Sequence, residues 1–490
     1  MKKRTGAGII ALSAPAIYYL IKKRGGTAKI SGAIRRGTLA ARNAEIVRLG
    51  ARVGATYATA SARKVFSSAE RRIEIDHETE LKTAAQVSER LGNMKGALMK
   101  LGQMASYLDD GLPAPMRAAL SQLQASAPPM SSDLAAEVVE RELGAAPDKI
   151  FVEWDPVPIA SASIGQVHRA VIVDPATGKE RAVAVKVQYP GVDKAIDADL
   201  RNADFLGALL QQGFSGLDPS DMVQEVKERI REELDYSREA TNQQLFADYY
   251  RGHPYISVPE VMPTFSTSRV LTTELVNGMS FAELMQQDQE QKNLTGECLF
   301  RFVFRSLYGM HKFNGDPHPG NYKFHHDGSV TFLDYGLVKR WSPGEWETLR
   351  PTVDAIIIDR DPDQLVDAMV ESGFLPATHG LSPELVYDYV SSPYIPYLTD
   401  EFTFTRDWMR DTIGKIFDVQ GPHAPVIEQL NMPPSFVILD RVVWGVSAIL
   451  GKLEATGPWR GMLLEYIADG EPATDLGAAE AAWAAGRPIH

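Results

Sequence analysis

The 490-residue chain has a single cysteine, Cys298, which excludes any intrachain disulfide and fits a reducing compartment. An isolated thiol of this kind reads as a small apolar core residue. Long apolar runs are missing too. The stretch from Gly6 to Ile21 is almost wholly uncharged, but it contains Pro15 and falls short of the ~20 residues that cross a bilayer comfortably. The apolar run from Phe436 to Leu450 is interrupted by Asp440 and Arg441 and reads as a core helix. There is no low-complexity tract, and 44% hydrophobic with 23% charged residues fits a globular chain of roughly two to four domain-sized units. Positive charge is scarce beyond the start. Residues 1–72 hold 16 Lys and Arg against 2 Asp and Glu, about +14, so the remainder carries about −26 of the net −12. No stacking-aromatic pattern accompanies the basic residues, which argues against nucleic acid and leaves an anionic membrane surface as the polyanion.

What is present is an ordered set of oxygen ligands. Gly315-Asp316-Pro317-His318-Pro319-Gly320-Asn321 is followed by Phe332-Leu333-Asp334-Tyr335-Gly336. An Asp, an Asn five residues on, and an Asp in a D-aromatic-G turn follow the order in which kinase-type folds arrange phosphoryl transfer. In that order Asp316 orients or deprotonates an acceptor hydroxyl, while Asn321 and Asp334 hold Mg²⁺ on nucleotide phosphates. The residues between them predict a hairpin with its turn at Asp327-Gly328, which brings Asn321 and Asp334 toward one site. His325 and His326 fall near that turn and read as exposed, and His318 reads as structural support of its loop.

The same chemistry requires a lysine on an upstream strand. Val183-Ala184-Val185-Lys186 supplies it, in a strand pattern from Arg181 to Gln188. The preceding phosphate loop lacks its expected glycines. Pro158 to His168 has Ala160, Ser161, Ala162 and Ser163 where a G-x-G-x-x-G loop would bring backbone N–H groups close to phosphates. A helical stretch from Asp221 to Tyr249 carries acids able to pair with Lys186. Asp235 and Glu239 share a face at i,i+4, while Glu233 and Asp235 diverge by about 200°. Val270 to Gly278 predicts an apolar strand ending in a turn, whose Glu274 and Val276 would present backbone groups to adenine.

These segments together resemble the UbiB/ADCK (AarF) family of atypical protein-kinase-like proteins. Gly96-Ala97-Leu98-Met99-Lys100-Leu101-Gly102-Gln103-Met104 matches the family's K-x-G-Q signature, and Lys100 and Gln103 lie at i,i+3 on one helical face. The resemblance implies that Lys186 contacts phosphates and pairs with Glu239, and that Ala160 to Ser163 form the alanine-rich loop. It implies that Asp316 is catalytic, with Asn321 and Asp334 as metal ligands. Lys100 and Gln103 would project from an N-terminal extension into the pocket, Lys100 meeting Glu233 and Asp235, over the place where a peptide substrate would dock.

Two absences separate the chain from ordinary protein kinases. Asn314 and Gly315 precede Asp316 where H-R would stand, and no A-P-E follows Asp334. Tyr335 takes the place of the D-F-G phenylalanine, and Ser161 interrupts the alanine run. The expected fold is α+β, a two-lobed protein-kinase-like fold with a helical N-terminal extension and additional C-terminal helices. Its expected divisions are a basic and apolar segment at 1–27, a helical extension at 28–150, an N-lobe at 151–280, a C-lobe at 281–470 and a tail at 471–490. Basic clusters flank Gly6–Ile21, favouring a marginal membrane anchor or interfacial segment over a signal peptide or a plain tail. The expected activity is Mg²⁺-dependent ATP hydrolysis or phosphotransfer in a cytoplasmic protein held at a membrane, with ATP or ADP and Mg²⁺ as cofactors. The resemblance adds support of isoprenoid-lipid or quinone metabolism, with quinone-biosynthesis proteins as partners. The rivals are a nucleotide-gated scaffold or lipid chaperone without phosphotransfer, and a small-molecule kinase of the aminoglycoside-phosphotransferase type.

Overall fold

The structure, a computed structural model, describes residues 132–162, 164–192, 234–418, 420–431 and 434–485. Lys100, Gln103, Ser163 and Glu233 lie outside the described residues, as does the basic segment at 1–72.

Strand parity organises the first half. Helix α1 (Ser132–Leu143) precedes β1 (Glu153–Trp154), β2 (Ala160–Ser161), β3 (Gly165–Val173) and β4 (Glu180–Gln188). Along β4, Val183, Val185 and Val187 are fully buried against Val138 and Val139 of α1, Phe151, Ile172 and Val270. Side chains alternate faces along a strand, so burying the valines turns Ala182, Ala184 and Lys186 to the opposite face. Helix α2 (Tyr236–Tyr249) follows, then β5 (Ile256–Ser257) and β6 (Val270–Glu274). The five-stranded sheet runs β1-β3-β4-β6, with β2 also on β3, and every pairing is antiparallel. Lys186 stands between Val167 of β3 and Leu271 of β6.

The helical expectation from Asp221 meets the described chain only at its end, and there Asp235 is outside the helix. Its extended backbone makes it the N-cap of α2, and its side chain accepts from the Ser237 N–H. Tyr236, Glu239, Gln243, Phe246 and Ala247 form the buried stripe of α2, a helical spacing that puts Glu239 on the inner face.

The second half is built on α3 (Gln289–Phe304), capped by Asp288 and buried from Thr295 to Phe304, Cys298 included. Short ribbons then carry the motif residues. β7 (Lys312–Asn314) pairs with β10 (Val338–Arg340), and β8 (Tyr322–Phe324) forms the expected hairpin with β9 (Val330–Phe332), which also takes β5 in parallel. Further helices lead to α4 (Pro434–Leu453), α5 (Trp459–Ile467) and α6 (Asp475–Ala484). The first of these is the core helix expected over 436–450. Phe300, Phe302, Phe304, Phe332, Tyr335, Leu450 and Trp459 belong to one core. Among the described residues, no helix is long and apolar enough to cross a membrane.

Candidate nucleotide site

Each motif residue stands at the end of an element. β7 ends two residues before Asp316, β8 begins just after Asn321, and β9 ends two residues before Asp334. Strand pairing thus fixes the backbone next to each of these three residues, while the residue itself stays outside the ladder.

Lys186 forms the centre of the cluster. Its Nζ donates to both carboxylate oxygens of Glu239, at 2.7 and 2.9 Å. Asp334 Oδ2 lies 3.8 Å away, and the Tyr236 ring is 5.0 Å from the ammonium. Burial alone would lower the lysine pKa, but the carboxylates of Glu239 and Asp334 overcome it, so the ammonium titrates above its usual range. Of the acids on or capping α2, Glu239 takes Lys186 and Asp235 serves as cap.

Asn314 ties the two carboxylate segments together. Its Nδ2 donates to the Asp334 carbonyl at 2.6 Å, and its Oδ1 accepts the Asp316 N–H at 2.8 Å. Asn321 Nδ2 lies 3.4 Å from both the carbonyl and Oδ2 of Asp316, and the Leu333 N–H donates to the Asn321 carbonyl. Asp334 Oδ1 accepts the Gly336 N–H at 2.9 Å. His318 supports its own loop, Nδ1 accepting from the Gly320 N–H at 3.0 Å. Tyr335 is fully buried beside Phe246, and among the described residues its hydroxyl finds no partner. The ring therefore keeps the packing role of a phenylalanine and carries a polar atom that packing does not need.

The donor set fits a hard divalent cation. Asn321 turns its amide nitrogen to Asp316, which leaves its carbonyl oxygen for a metal. Two carboxylates, Glu239 and Asp334, flank the Lys186 ammonium, and Asp316, tied to Asp334 through Asn314, adds a third, so the cluster carries an excess of negative charge that would repel a bare polyphosphate. Among the described residues, no group of three or more His, Cys, Asp or Glu forms a metal cage. Mg²⁺ does not require one, because it takes one or two protein groups and completes its shell with phosphate and water.

The alanine-rich loop is closed differently from a glycine loop. Ala160 and Ser161 are exposed and pair with Val167 and Gln166, and Ala162 exchanges backbone hydrogen bonds with Gly165. At the tip Ile164 is buried with Tyr236, Val261 and Leu271, so the loop is folded down onto α2. Gly165 permits this approach, since a Cβ there would stand 2.3 Å from the Val187 carbonyl and 2.8 Å from the Tyr236 hydroxyl. At the other end of the cleft, the Glu274 side chain pairs with Arg181 at 3.1 Å, which fixes the strand end before Val276. His325 is half-buried and hydrogen-bonds Thr331 at 2.9 Å, correcting the expectation of an exposed imidazole.

With this geometry in hand, comparison with known proteins is decisive on the family. The ABC1 atypical kinase-like domain matches residues 122–369, half of the chain. The chain belongs to that family. It is 32% identical over 313 residues to the Arabidopsis thaliana protein ACTIVITY OF BC1 COMPLEX KINASE 8, chloroplastic, covering 61% of this chain and 40% of that one. It is 27% identical over 369 residues to a Xanthomonas oryzae protein named Probable protein kinase UbiB, covering 73% and 64%. The chain thus spans less than two thirds of these curated relatives. Among solved structures, the Mycobacterium tuberculosis protein Rv3197 in complex with erythromycin shares 32% identity at a TM-score of 0.60, covering 81% of this chain and 98% of that one. The two-lobed, kinase-like α+β fold is common to the family, and a kinase-like domain implies nucleotide binding.

Several site residues escaped the sequence reading. Asn314 was visible only as the loss of H-R, although an amide two residues before Asp316 can hold the same two backbones. Ile164 and Gly165 fall inside the Pro158–His168 loop with no motif to mark them, and no local pattern singles out the supports supplied from beyond residue 369.

Proposed function

We propose that this ABC1 protein binds ATP or ADP with Mg²⁺ and performs slow ATP hydrolysis or phosphotransfer at a membrane surface, in support of isoprenoid-lipid or quinone metabolism. The observation that carries the reading is the ion pair from Lys186 to both oxygens of Glu239, beside Asp334. Outside catalysis, a partly buried ammonium held between carboxylates adds little stability, because its desolvation cost offsets much of its Coulombic gain. Lys186 neutralises phosphate oxygens, and Asn321 and Asp334 hold the cation. Bound Mg²⁺ supplies charge neutralisation of the transferring phosphoryl group. Asp316 accepts the proton of the attacking hydroxyl or water, and Asn314 keeps Asp316 and Asp334 in register while it does so. The loop tip at Ile164, pinned to α2, keeps the alanines at the mouth of the site. A membrane setting is supported by the basic charge of residues 1–72, about +14, on an otherwise acidic chain. A role near quinones is supported by the likeness to UbiB.

The test compares wild type with Asp334→Asn, using calorimetry with Mg²⁺ and ATP or ADP, and ATP hydrolysis with and without anionic liposomes. Wild type should bind nucleotide only with Mg²⁺ and hydrolyse ATP faster with liposomes, and Asp334→Asn should lower turnover about 100-fold. Equal hydrolysis by both proteins removes the enzymatic claim. Binding without hydrolysis in wild type leaves a nucleotide-gated scaffold.

A further inference from the structure

Helix α2 is held at both ends. Near its start, Glu239 grips Lys186. At its finish, Tyr249 and the capping residue Tyr250 meet α6, a helix that lies outside the residues matched by the family domain. Trp483 of α6 lies parallel to the Tyr250 ring at 6.2 Å and edge-on to Tyr249 at 6.0 Å, and its Nε1 donates to the Arg251 carbonyl at 3.3 Å. The same indole packs on His253 at 4.4 Å and receives the Arg305 guanidinium at 5.1 Å.

Glu480, one turn earlier on α6, is buried and locks that helix in place. It accepts from Arg301 at 3.1 Å and from Tyr466, and it lies 3.5 Å from Arg305. His253 completes the seat. Its Nδ1 accepts from the Ile256 N–H at 3.1 Å, which puts the ring proton on Nε2, facing Glu480 Oε1 at 3.4 Å. A helix seated by a buried carboxylate in one orientation presents Trp483 to Tyr249 and Tyr250 in one orientation.

We infer that Trp483 is a positioning residue for the nucleotide site, setting the tilt of α2 and through it the place of Glu239. The lever is long. Ten residues separate Glu239 from Tyr249, about 15 Å along a helix, so a 5° tilt about the seated end moves Glu239 by about 1 Å. That displacement breaks the two-oxygen grip on Lys186 and frees the ammonium to follow Asp334. The chain beyond the family domain thereby tunes a site built within it.

The inference rests on the nucleotide-binding reading, and the test separates the two. Affinity for fluorescent methylanthraniloyl-ADP with Mg²⁺ is measured for wild type, Trp483→Ala and Trp483→Phe, each alone and combined with Glu239→Gln. Amide hydrogen exchange along α2 is followed without nucleotide. Trp483→Ala should weaken binding about two- to tenfold, speed exchange in α2, and change binding less than about twofold once Glu239 is already Gln. Trp483→Phe keeps the ring contacts, loses the Arg251 bond, and should recover most of the affinity. If Trp483→Ala does not fold, Trp483→Phe should still show a smaller loss that vanishes with Glu239→Gln. Unchanged affinity in folded Trp483→Ala, no loss in Trp483→Phe where the alanine variant does not fold, or an equal loss in both backgrounds overturns the inference and leaves nucleotide binding intact. A wild type that binds no nucleotide overturns both.

Discussion

A single methyl group added to α4 should displace the loop that carries Asp316, the proposed proton acceptor, without touching the nucleotide. Gly445 packs against Pro317, the residue after Asp316, so closely that a Cβ would lie 2.3 Å from the proline Cγ and 3.3 Å from its Cβ. Ordinary contact begins near 3.4 Å, so Gly445→Ala requires the loop to retreat by about 1 Å. Proline cannot swing away on a rotamer, because its ring is tied to the backbone and fixes φ. The displacement must therefore pass to Asp316. Overpacking of this kind costs about 1–3 kcal/mol, and the better helix propensity of alanine returns about 1 kcal/mol. Net stability should fall by no more than about 2 kcal/mol by these figures. Turnover should fall about 100-fold, the penalty expected when a catalytic group is misplaced by 1 Å. The assay is Mg²⁺-dependent ATP hydrolysis with liposomes, read beside methylanthraniloyl-ADP affinity and a urea denaturation midpoint. Unchanged turnover refutes the argument. A loss of affinity as large as the loss of turnover would move the damage from Asp316 to the phosphate subsite.

Asn314→Leu keeps the side-chain volume and removes both bonds that couple Asp316 to Asp334. Turnover should drop at least about tenfold, and the two partly buried backbone groups that lose this partner should cost at most about 1–3 kcal/mol each. An Asn314→Leu protein with wild-type hydrolysis would show that the strands alone hold the two aspartates. Glu480 gives a pH signature. Burial would raise its carboxyl pKa, but His253, Arg305 and Tyr466 outweigh burial and hold it below its ordinary 4.5, with Arg301, Glu297 and Glu465 completing the surrounding charges. As pH falls below 4.5 the unfolded chain binds this proton first, so the stability that Glu480 contributes is present above that pH and is lost on acidification. Glu480→Gln should cost about 2 kcal/mol near pH 7 and flatten the acid limb of stability in urea titrations. Parallel acid limbs for the two proteins would contradict this account.

How far the site could be read from sequence depended on whether the cause was local. Val183, Val185 and Val187 declare a buried strand face by alternation alone, which commits Lys186 to the other face before any partner is known. The Asp327-Gly328 turn likewise declares the hairpin that brings Asn321 near Asp334. Choosing the partner of Lys186 was harder. Glu233, Asp235 and Glu239 are all acids within one turn or two, and periodicity cannot say where the helix starts. Asp235 as N-cap settles its own role, and Glu239, four residues on, is left on the inner stripe. The family likeness named Glu239, and the helix start explains why it is the one.

Asn314, Gly445 and Trp483 were illegible for a different reason. Asn314 bonds a carbonyl 20 residues away, and Trp483 touches a backbone carbonyl 232 residues away. Such contacts depend on which elements the fold brings together, and no periodicity records that. A glycine in a helix reads as a propensity defect until the neighbour that needs its missing Cβ is known. Yet these residues share a logic with the motif itself. The groups in line for chemistry sit at strand ends and helix starts, where the backbone ladder stops constraining them. Precision at those ends must come from side chains and close packing delivered by other elements. In this protein α4 and α6, both beyond the family domain, deliver part of it. The motif names the chemical groups, and the remainder of the chain decides whether they stand where the chemistry needs them.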